Sequence, residues 1–119
     1  MTRQQAVEIL EFFRDIDGEI EFKAELYEGE RAKTEQQFLR ELKTSVQACL
    51  DALPYTEKAL IWKHYVKKQE WNEIRLGHWY SVRQMNNIVR RGLEELGKRL
   101  EREAPARQFL ERRAERHTS

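Results

Sequence analysis

Apolar residues recur at alternating steps of about three and four over long stretches of this chain, and that spacing limits the fold more than any other feature. Near the N-terminus the series is Ile9, Phe13, Ile16, Ile20 and Tyr27. Such spacing lines one side of a helix and, when it is sustained, forms the seam of a coiled coil. Only two Pro and five Gly interrupt the 119 residues, which is too few for the turns of an all-β protein. The sequence therefore predicts an all-α fold.

A second helix with the same spacing is expected to follow the first. Its apolar residues are Phe38, Leu42, Val46, Cys49 and Leu53. Gly29 and the charged run 30–33 are expected to connect the two helices. The two apolar faces can close as an antiparallel hairpin within one chain or as the interface of a homodimer through residues 1–53, and the sequence leaves both open. Cys49 is the only cysteine, so we expect it to be a small core residue without a disulfide partner.

Charge divides the chain into an acidic part and a basic part. Residues 1–53 hold seven Lys and Arg against twelve Asp and Glu, whereas residues 54–119 hold fifteen against nine. We expect an acidic helical hairpin at 1–53, followed by a basic domain at 54–103. Pro105 disfavours continuation of the preceding helix, so 104–119 is expected to be a charged C-terminal tail. Phe109 and Leu110 can dock a last short helix there, and the end of the tail is expected to be solvated. This asymmetry indicates that the C-terminal half meets an anion.

Three short Ser/Thr-x-x-Gln patterns predict where helices begin. In such a capping box the hydroxyl and the amide oxygen each accept a hydrogen bond from the backbone N–H of the other residue. The patterns are Thr2 with Gln5, Thr34 with Gln37, and Ser81 with Gln84.

The C-terminal half predicts three further helices. The first runs from about Tyr55 to Lys68, a short one contains Ile74 and Leu76, and a longer one begins at Ser81. A short helix, a turn and a longer helix together are typical of the DNA-reading helix-turn-helix. The sequence therefore predicts that the last of these helices reads DNA.

Between Glu73 and Glu94 the sequence contains no Asp or Glu, and its Lys and Arg residues are all arginines. A segment without acidic residues favours contact with a phosphate backbone. In the helix from Ser81, an apolar stripe is expected to turn inward and to leave a polar outer face. We predict that Arg83, Gln84 and Asn87 contact base edges, because Arg can bond guanine and Gln or Asn can bond adenine. Asn86 is a marginal fourth base contact. The remaining predicted DNA contacts, chiefly to phosphate, are Arg90, Arg91, Ser81, Arg75, Lys67 and Lys68.

Fourteen residues between positions 53 and 100 match a known pattern. They are Leu53, Pro54, Tyr65, Trp71, Glu73, Ile74, Tyr80, Ser81, Arg83, Gln84, Ile88, Leu93 and Leu96, with Leu100 closing the segment. With these residues the segment resembles region four of primary-type sigma factors, and it is more similar still to small phage transcriptional regulators of the ArpU/RinA type. The resemblance implies a phage or prophage regulator that acts in the bacterial cytoplasm, binds double-stranded promoter DNA and contacts RNA polymerase.

Three residues depart from the family pattern, which has a small residue, an apolar residue and Gly at the corresponding positions. These are Arg75, His78 and Trp79. Arg75 must either point outward or change the crossing of the two helices, and Gly77 is expected to end the short helix early in a left-handed conformation. The departures motivate an alternative function: a sigma-like interaction module that docks on RNA polymerase or a sigma factor without reading DNA.

The sequence gives no sign of catalysis, because it holds no Gly-rich phosphate loop, nucleophile elbow or His-Glu motif. We therefore expect neither an enzyme nor a cofactor. No metal site is expected either, because the three His residues are scattered: His64, His78 and His117. No apolar stretch is long enough to cross a membrane, and we expect no membrane partner. Trp62 and Trp71 are expected in the core, and Trp79 is expected to be partly exposed.

Overall fold

A computed structural model of the protein describes residues 1–76 and 79–118, and gives only the backbone of Leu76, His117 and Thr118. The described residues are helical apart from short connections, which confirms the all-α fold class. The α-helices are α1 (Arg3–Arg14), α2 (Ile16–Leu26), α3 (Gly29–Asp51), α4 (Tyr55–Ile61), α5 (Trp71–Leu76), α6 (Val82–Glu101) and α7 (Ala104–Thr118). A π-helical segment, Trp62–Val66, continues α4. No helix in the described part of the chain is both long and apolar enough to cross a membrane.

Two of the three predicted capping boxes begin helices, and the third does not. The Gln5 N–H donates to Thr2 Oγ1 at 3.1 Å and the Thr2 N–H donates to Gln5 Oε1 at 2.9 Å, so this box starts α1 as predicted. The box at Ser81 starts α6 in the same way. The prediction for Thr34 was wrong, because Thr34 lies inside α3 and its hydroxyl donates to the Glu30 carbonyl at 2.8 Å.

The predicted connector at Gly29 and 30–33 was also wrong, because these residues form the first turns of α3. Gly29 has φ 61°, a left-handed conformation that glycine adopts without steric cost. The residues after it, Glu30, Arg31, Ala32 and Lys33, all have good helix propensity, and a 3.5 Å Glu30–Lys33 ion pair spans one turn. A charged run can thus extend a helix as readily as it can interrupt one.

The first helix predicted from the sequence is two helices that break at Asp15. The Asp15 N–H donates to the Phe12 carbonyl at 3.1 Å, and Asp15 has φ −105° and ψ 14°, which ends α1. Asp is a poor helix former because its side chain competes for backbone hydrogen bonds. The break lets α1 pack against α6 and the π-helical segment, while α2 packs mainly against α3. The hairpin within this chain is therefore α2 with α3.

One hydrophobic core runs from Ala6 in α1 to Phe109 in α7. Its central helix is α6, which packs against α1, α3, α4, α5 and α7. Cys49 is buried in this core, as predicted, and burial raises the pKa of its thiol.

Gly92 lies where α4 and α6 approach each other closely. A Cβ atom at Gly92 would lie 2.7 Å from Ile61 Cδ1 and 3.1 Å from the Glu57 Cβ, so a larger residue requires the Ile61 side chain to move and Glu57 to shift slightly. Residues at the start of α4 line a groove with Glu95 and Arg99, further along α6. The start of α4 therefore lies beside the second half of α6, away from the start of α6.

Residues 104–118 form α7 and dock on the core. Phe109 is buried, and its ring lies 4.7 Å from the ring of Phe12. The guanidinium of Arg112 lies 3.9 Å from the Phe38 ring and donates to the Glu35 carboxylate at 3.3 Å. Docking through Phe109 was one of the outcomes left open, and Glu115 and Arg116 are exposed, as expected of a solvated end. The contacts that Arg112 and Arg113 make with aromatic rings were not foreseen.

Candidate nucleic-acid interface

The π-helical segment holds the start of α5 in place. The ring of His64 stacks on that of Trp71 with centroids 3.9 Å apart, and His64 Nδ1 lies 2.9 Å from the Gln69 carbonyl oxygen. A carbonyl oxygen only accepts, so Nδ1 is the nitrogen that carries the proton. On the other side, Arg14 Nη1 donates to the Tyr65 carbonyl at 3.3 Å. These contacts join α1, the π-helical segment and α5 into one support for the turn that follows.

Trp62 and Trp71 are both partly buried against the core, in agreement with their predicted packing. The Trp62 ring meets the Phe13 ring edge-on at 6.1 Å. The π-helical geometry itself was not foreseen, because it depends on a shifted backbone pattern: the Lys67 N–H donates to the Trp62 carbonyl at 2.9 Å. Segments of this kind are frequent at functional sites.

Helix α5 leads into α6 on the surface of the same core. Ile74 and Met85 are both buried, one from each helix. Arg75 is exposed, so of the two alternatives for this residue the structure has the outward one. The predicted left-handed Gly77 and the departure at His78 lie outside the described residues.

Three of the predicted contacts lie along one line on α6. Arg83, Asn87 and Arg90 follow one another at steps of four and three, and all three are exposed. The Cα atoms of Arg83 and Arg90 are separated by about 10 Å along the helix axis. Asn86, also exposed, flanks this line. The inward side carries Met85, Val89 and other buried residues, so the predicted division of α6 into an inner and an outer face is confirmed.

Ser81 and Gln84 are exposed, but both are engaged in the capping box of α6. Gln84 Oε1 accepts from the Ser81 N–H at 2.8 Å, and Ser81 Oγ accepts from the Gln84 N–H at 3.2 Å. A bidentate contact to adenine needs both the oxygen and the nitrogen of the amide. While the cap is intact, one lone pair of Gln84 Oε1 is already engaged, and the cap also fixes the orientation of the amide.

Arg91 is exposed but lies to one side of the line of Arg83, Asn87 and Arg90. It borders the groove between α4 and α6 together with Glu57 and Glu95. Two nearby carboxylates reduce the local positive potential, so Arg91 is a weaker candidate for a phosphate contact than Arg90.

Lys67 and Lys68 precede α5, at the opposite end of that helix from the turn into α6. Both are exposed, and Lys68 has φ 57°, which closes the π-helical segment in a left-handed conformation. The six residues of α5, about 9 Å along its axis, lie between the two lysines and the turn into α6. On α6 itself the structure groups Arg83, Asn86, Asn87 and Arg90, and Arg91 lies to one side of them.

The electrostatics of α6 favour an anion at its N-terminal end. Its first turn holds no acidic residue, and the helix dipole places partial positive charge there. Glu94 is exposed one turn beyond Arg90 and ends the basic part of the face. The basic face is therefore confined to the first three turns.

Four large hydrophobic side chains are exposed in the described part of the chain: Phe22, Leu26, Tyr55 and Trp79. Trp79, expected to be partly exposed, is fully exposed at 103%. On α2, Phe22 is 52% exposed and Leu26 is 54% exposed. Phe22 and Leu26 are four residues apart and lie on a different side of the helix from Ile16 and Ile20. This spacing in the sequence could have predicted a second apolar stripe on α2.

Comparison of the chain with known protein families, characterised proteins and solved structures finds no significant match. Within residues 1–76 and 79–116, no three His, Cys, Asp or Glu side chains cluster in a way that could hold a metal ion.

Proposed function

We propose that the protein is a DNA-binding transcriptional regulator, phage or prophage encoded, that reads double-stranded promoter DNA with α6. The observation that carries this proposal is the exposed line of Arg83, Asn87 and Arg90 on the first turns of a helix whose other side is buried. A helix seated in this way presents fixed side chains to a partner, because its orientation is set by the core.

Each residue of the line has a chemistry that fits a DNA groove. The Arg83 guanidinium can donate two hydrogen bonds to guanine, and the Asn87 amide can donate and accept at adenine. Arg90 lies further along the helix and is assigned to a phosphate. The spacing of about 10 Å between Arg83 and Arg90 is comparable to the major-groove width of about 12 Å. α5 then takes the position of the first helix of a helix-turn-helix.

Selection from a random duplex library at near-physiological salt tests the proposal. The purified full chain is expected to enrich a sequence motif, and the Arg83→Ala, Asn87→Ala variant is expected to lose it. An Arg40→Ala variant is the matched control, since Arg40 is an exposed arginine on α3 and its loss removes one positive charge elsewhere. Absence of enrichment by the wild-type chain, or the same motif from all three proteins, contradicts sequence reading by α6.

A second candidate function is a sigma-like interaction module that docks on RNA polymerase or a sigma factor. It is favoured by α2, where Phe22 and Leu26 are half exposed on a helix that also carries Glu19, Glu21 and Glu25. An apolar pair bordered by acids matches a partner surface that is apolar at its centre and basic at its edge.

Purified bacterial RNA polymerase provides the test of this second candidate. If α2 is the docking surface, Phe22→Glu weakens binding strongly, whereas the Arg83→Glu, Arg90→Glu variant binds polymerase as the wild type does. Tight DNA binding without any polymerase contact excludes docking on polymerase as the principal function.

A further inference from the structure

Trp79 is fully exposed in the connection between α5 and α6, two residues before the cap residue Ser81. The other two tryptophans are packed: Trp62 against Phe13, and Trp71 against His64. A bare indole carries a large apolar area and is characteristic of contact sites rather than of ordinary surface. Its position at the start of α6 places it at the same end of the helix as Arg83.

The positive charge of the residues that flank Trp79 in the chain indicates which kind of partner can contact it. Arg75 and Arg83 are exposed on either side of it in the chain, and no Asp or Glu occurs between Glu73 and Glu94. A partner that reaches Trp79 must therefore tolerate a positive field, which excludes a basic protein surface. DNA offers negative charge together with flat apolar faces, which suits an exposed indole in a segment whose neighbouring charged residues are arginines.

We propose that Trp79 is a DNA-contacting residue whose indole packs on the flat face of a nucleotide at the edge of the site read by α6. This inference rests on the proposed function. Because every nucleotide presents an apolar face, the contact adds affinity without adding sequence preference. Because the indole is uncharged, the contact also leaves the salt dependence of binding unchanged.

The affinities of wild-type, Trp79→Ala, Trp79→Phe and Tyr55→Ala proteins for the selected duplex test this inference. Trp79→Ala is expected to bind about 10-fold more weakly with the same salt slope, in the range measured for a lost base–aromatic contact. Trp79→Phe should keep most of the affinity. Tyr55 is the matched control, because it is 85% exposed at the start of α4, away from the start of α6. Its loss should change nothing.

Acrylamide quenching of tryptophan fluorescence gives a second readout. In the free protein Trp79 is the most accessible indole, and bound duplex should protect it, while the Trp79→Phe protein should show little protection. A Trp79→Ala protein that binds as the wild type does, with unprotected Trp79 in the wild-type complex, overturns the inference and leaves the proposed function standing. A wild-type protein that binds no duplex rejects the proposed function itself.

A duplex with one unpaired nucleotide at the edge of the site distinguishes the two flat faces that DNA can offer. If the wild type gains affinity from the unpaired nucleotide and Trp79→Ala does not, the indole stacks on an unstacked base. An equal loss on both duplexes assigns the contact to a deoxyribose. Protection of Trp79 by an acidic peptide such as oligoglutamate, with none by DNA, assigns the surface to a protein and contradicts the inference.

Discussion

Helices α6 and α2 both carry apolar and polar residues, but they are anchored to the core to different extents. Of its twenty described residues α6 buries seven, and it contacts helices on several sides, whereas α2, described throughout, buries only Ile16 and packs mainly on α3. Their exposed faces also differ: α6 presents Arg83, Asn87 and Arg90, and α2 presents Phe22 and Leu26 among acids. A firmly held polar face can position groups against fixed base edges, while a peripheral apolar face can adapt to a protein.

The largest expected effect is on the free energy of unfolding, and it compares a Leu→Ala substitution in α6 with a Leu→Ala substitution in α2. Leu96→Ala in α6 removes a fully buried side chain and should lower the free energy of unfolding by about 3 kcal/mol. Leu26→Ala in α2 should lower it by less than about 1 kcal/mol, because the side chain is 54% exposed. Urea unfolding followed by circular dichroism measures both. Equal losses in the two variants contradict the contrast between a central and a peripheral helix.

The next effect concerns charge and tests which face meets DNA. The Arg83→Glu, Arg90→Glu variant should bind duplex DNA about 100-fold more weakly, since two contacts of about 1–3 kcal/mol each are lost or reversed. The Glu21→Lys, Glu25→Lys variant makes a change of the same size in net charge on α2, where both residues are exposed. Its affinity should rise by no more than a few-fold through the general field. Fluorescence anisotropy at fixed ionic strength measures the duplex affinity of both variants. If the affinity gained by the α2 variant matches the affinity lost by the α6 variant, net charge alone governs binding.

A finer comparison divides the roles within α6. Arg83→Ala should lose discrimination of about 1–3 kcal/mol at one base pair and keep the affinity for unrelated sequences. Arg90→Ala should weaken binding to every sequence and reduce the slope of log affinity against log salt by about 0.9. The measurement is a salt titration on the selected duplex and on a scrambled duplex. If both variants behave alike on both duplexes, the assignment of Arg83 to a base and Arg90 to a phosphate is wrong.

The helix boundaries and faces that were predicted correctly are those that depend on residues close together in the sequence. The boxes at Thr2 and Ser81 and the inner face of α6 were predicted correctly, because capping and helical periodicity depend on neighbours within four residues. The break at Asp15 was missed because apolar spacing continues across it to Ile16, and only packing shows that α1 and α2 face different partners. The prediction at Thr34 failed because the capping pattern occurs inside a helix that already begins at Gly29.

Long-range contacts account for the remaining differences. Helix α7 docks through Phe109 on Phe12 and Arg112 on Phe38, pairs that lie far apart in the chain. The π-helical segment is likewise fixed by distant partners, including Arg14 at the Tyr65 carbonyl. In the candidate interface, the outward position of the polar residues of α6 was predicted, whereas that of Arg75 was left open and the grouping was not foreseen. Only the packed structure separates Arg91, beside Glu57, from Arg90.

The smallest expected effect on DNA binding comes from removal of the apolar stripe on α2. The Phe22→Ser, Leu26→Ser variant should keep the duplex affinity of the wild type within about two-fold, because an uncharged change on a helix remote from α6 alters neither a contact nor the local field. The same variant should lose self-association in sedimentation experiments if residues 1–53 form a homodimer, and should lose polymerase binding if α2 docks there. A clear fall in DNA affinity, with an unchanged unfolding transition, would mean that α2 and α6 act on DNA together. The acidic α2 and the basic face of α6 would then both contribute to DNA binding, and the assignment of DNA reading to α6 and protein docking to α2 would be wrong.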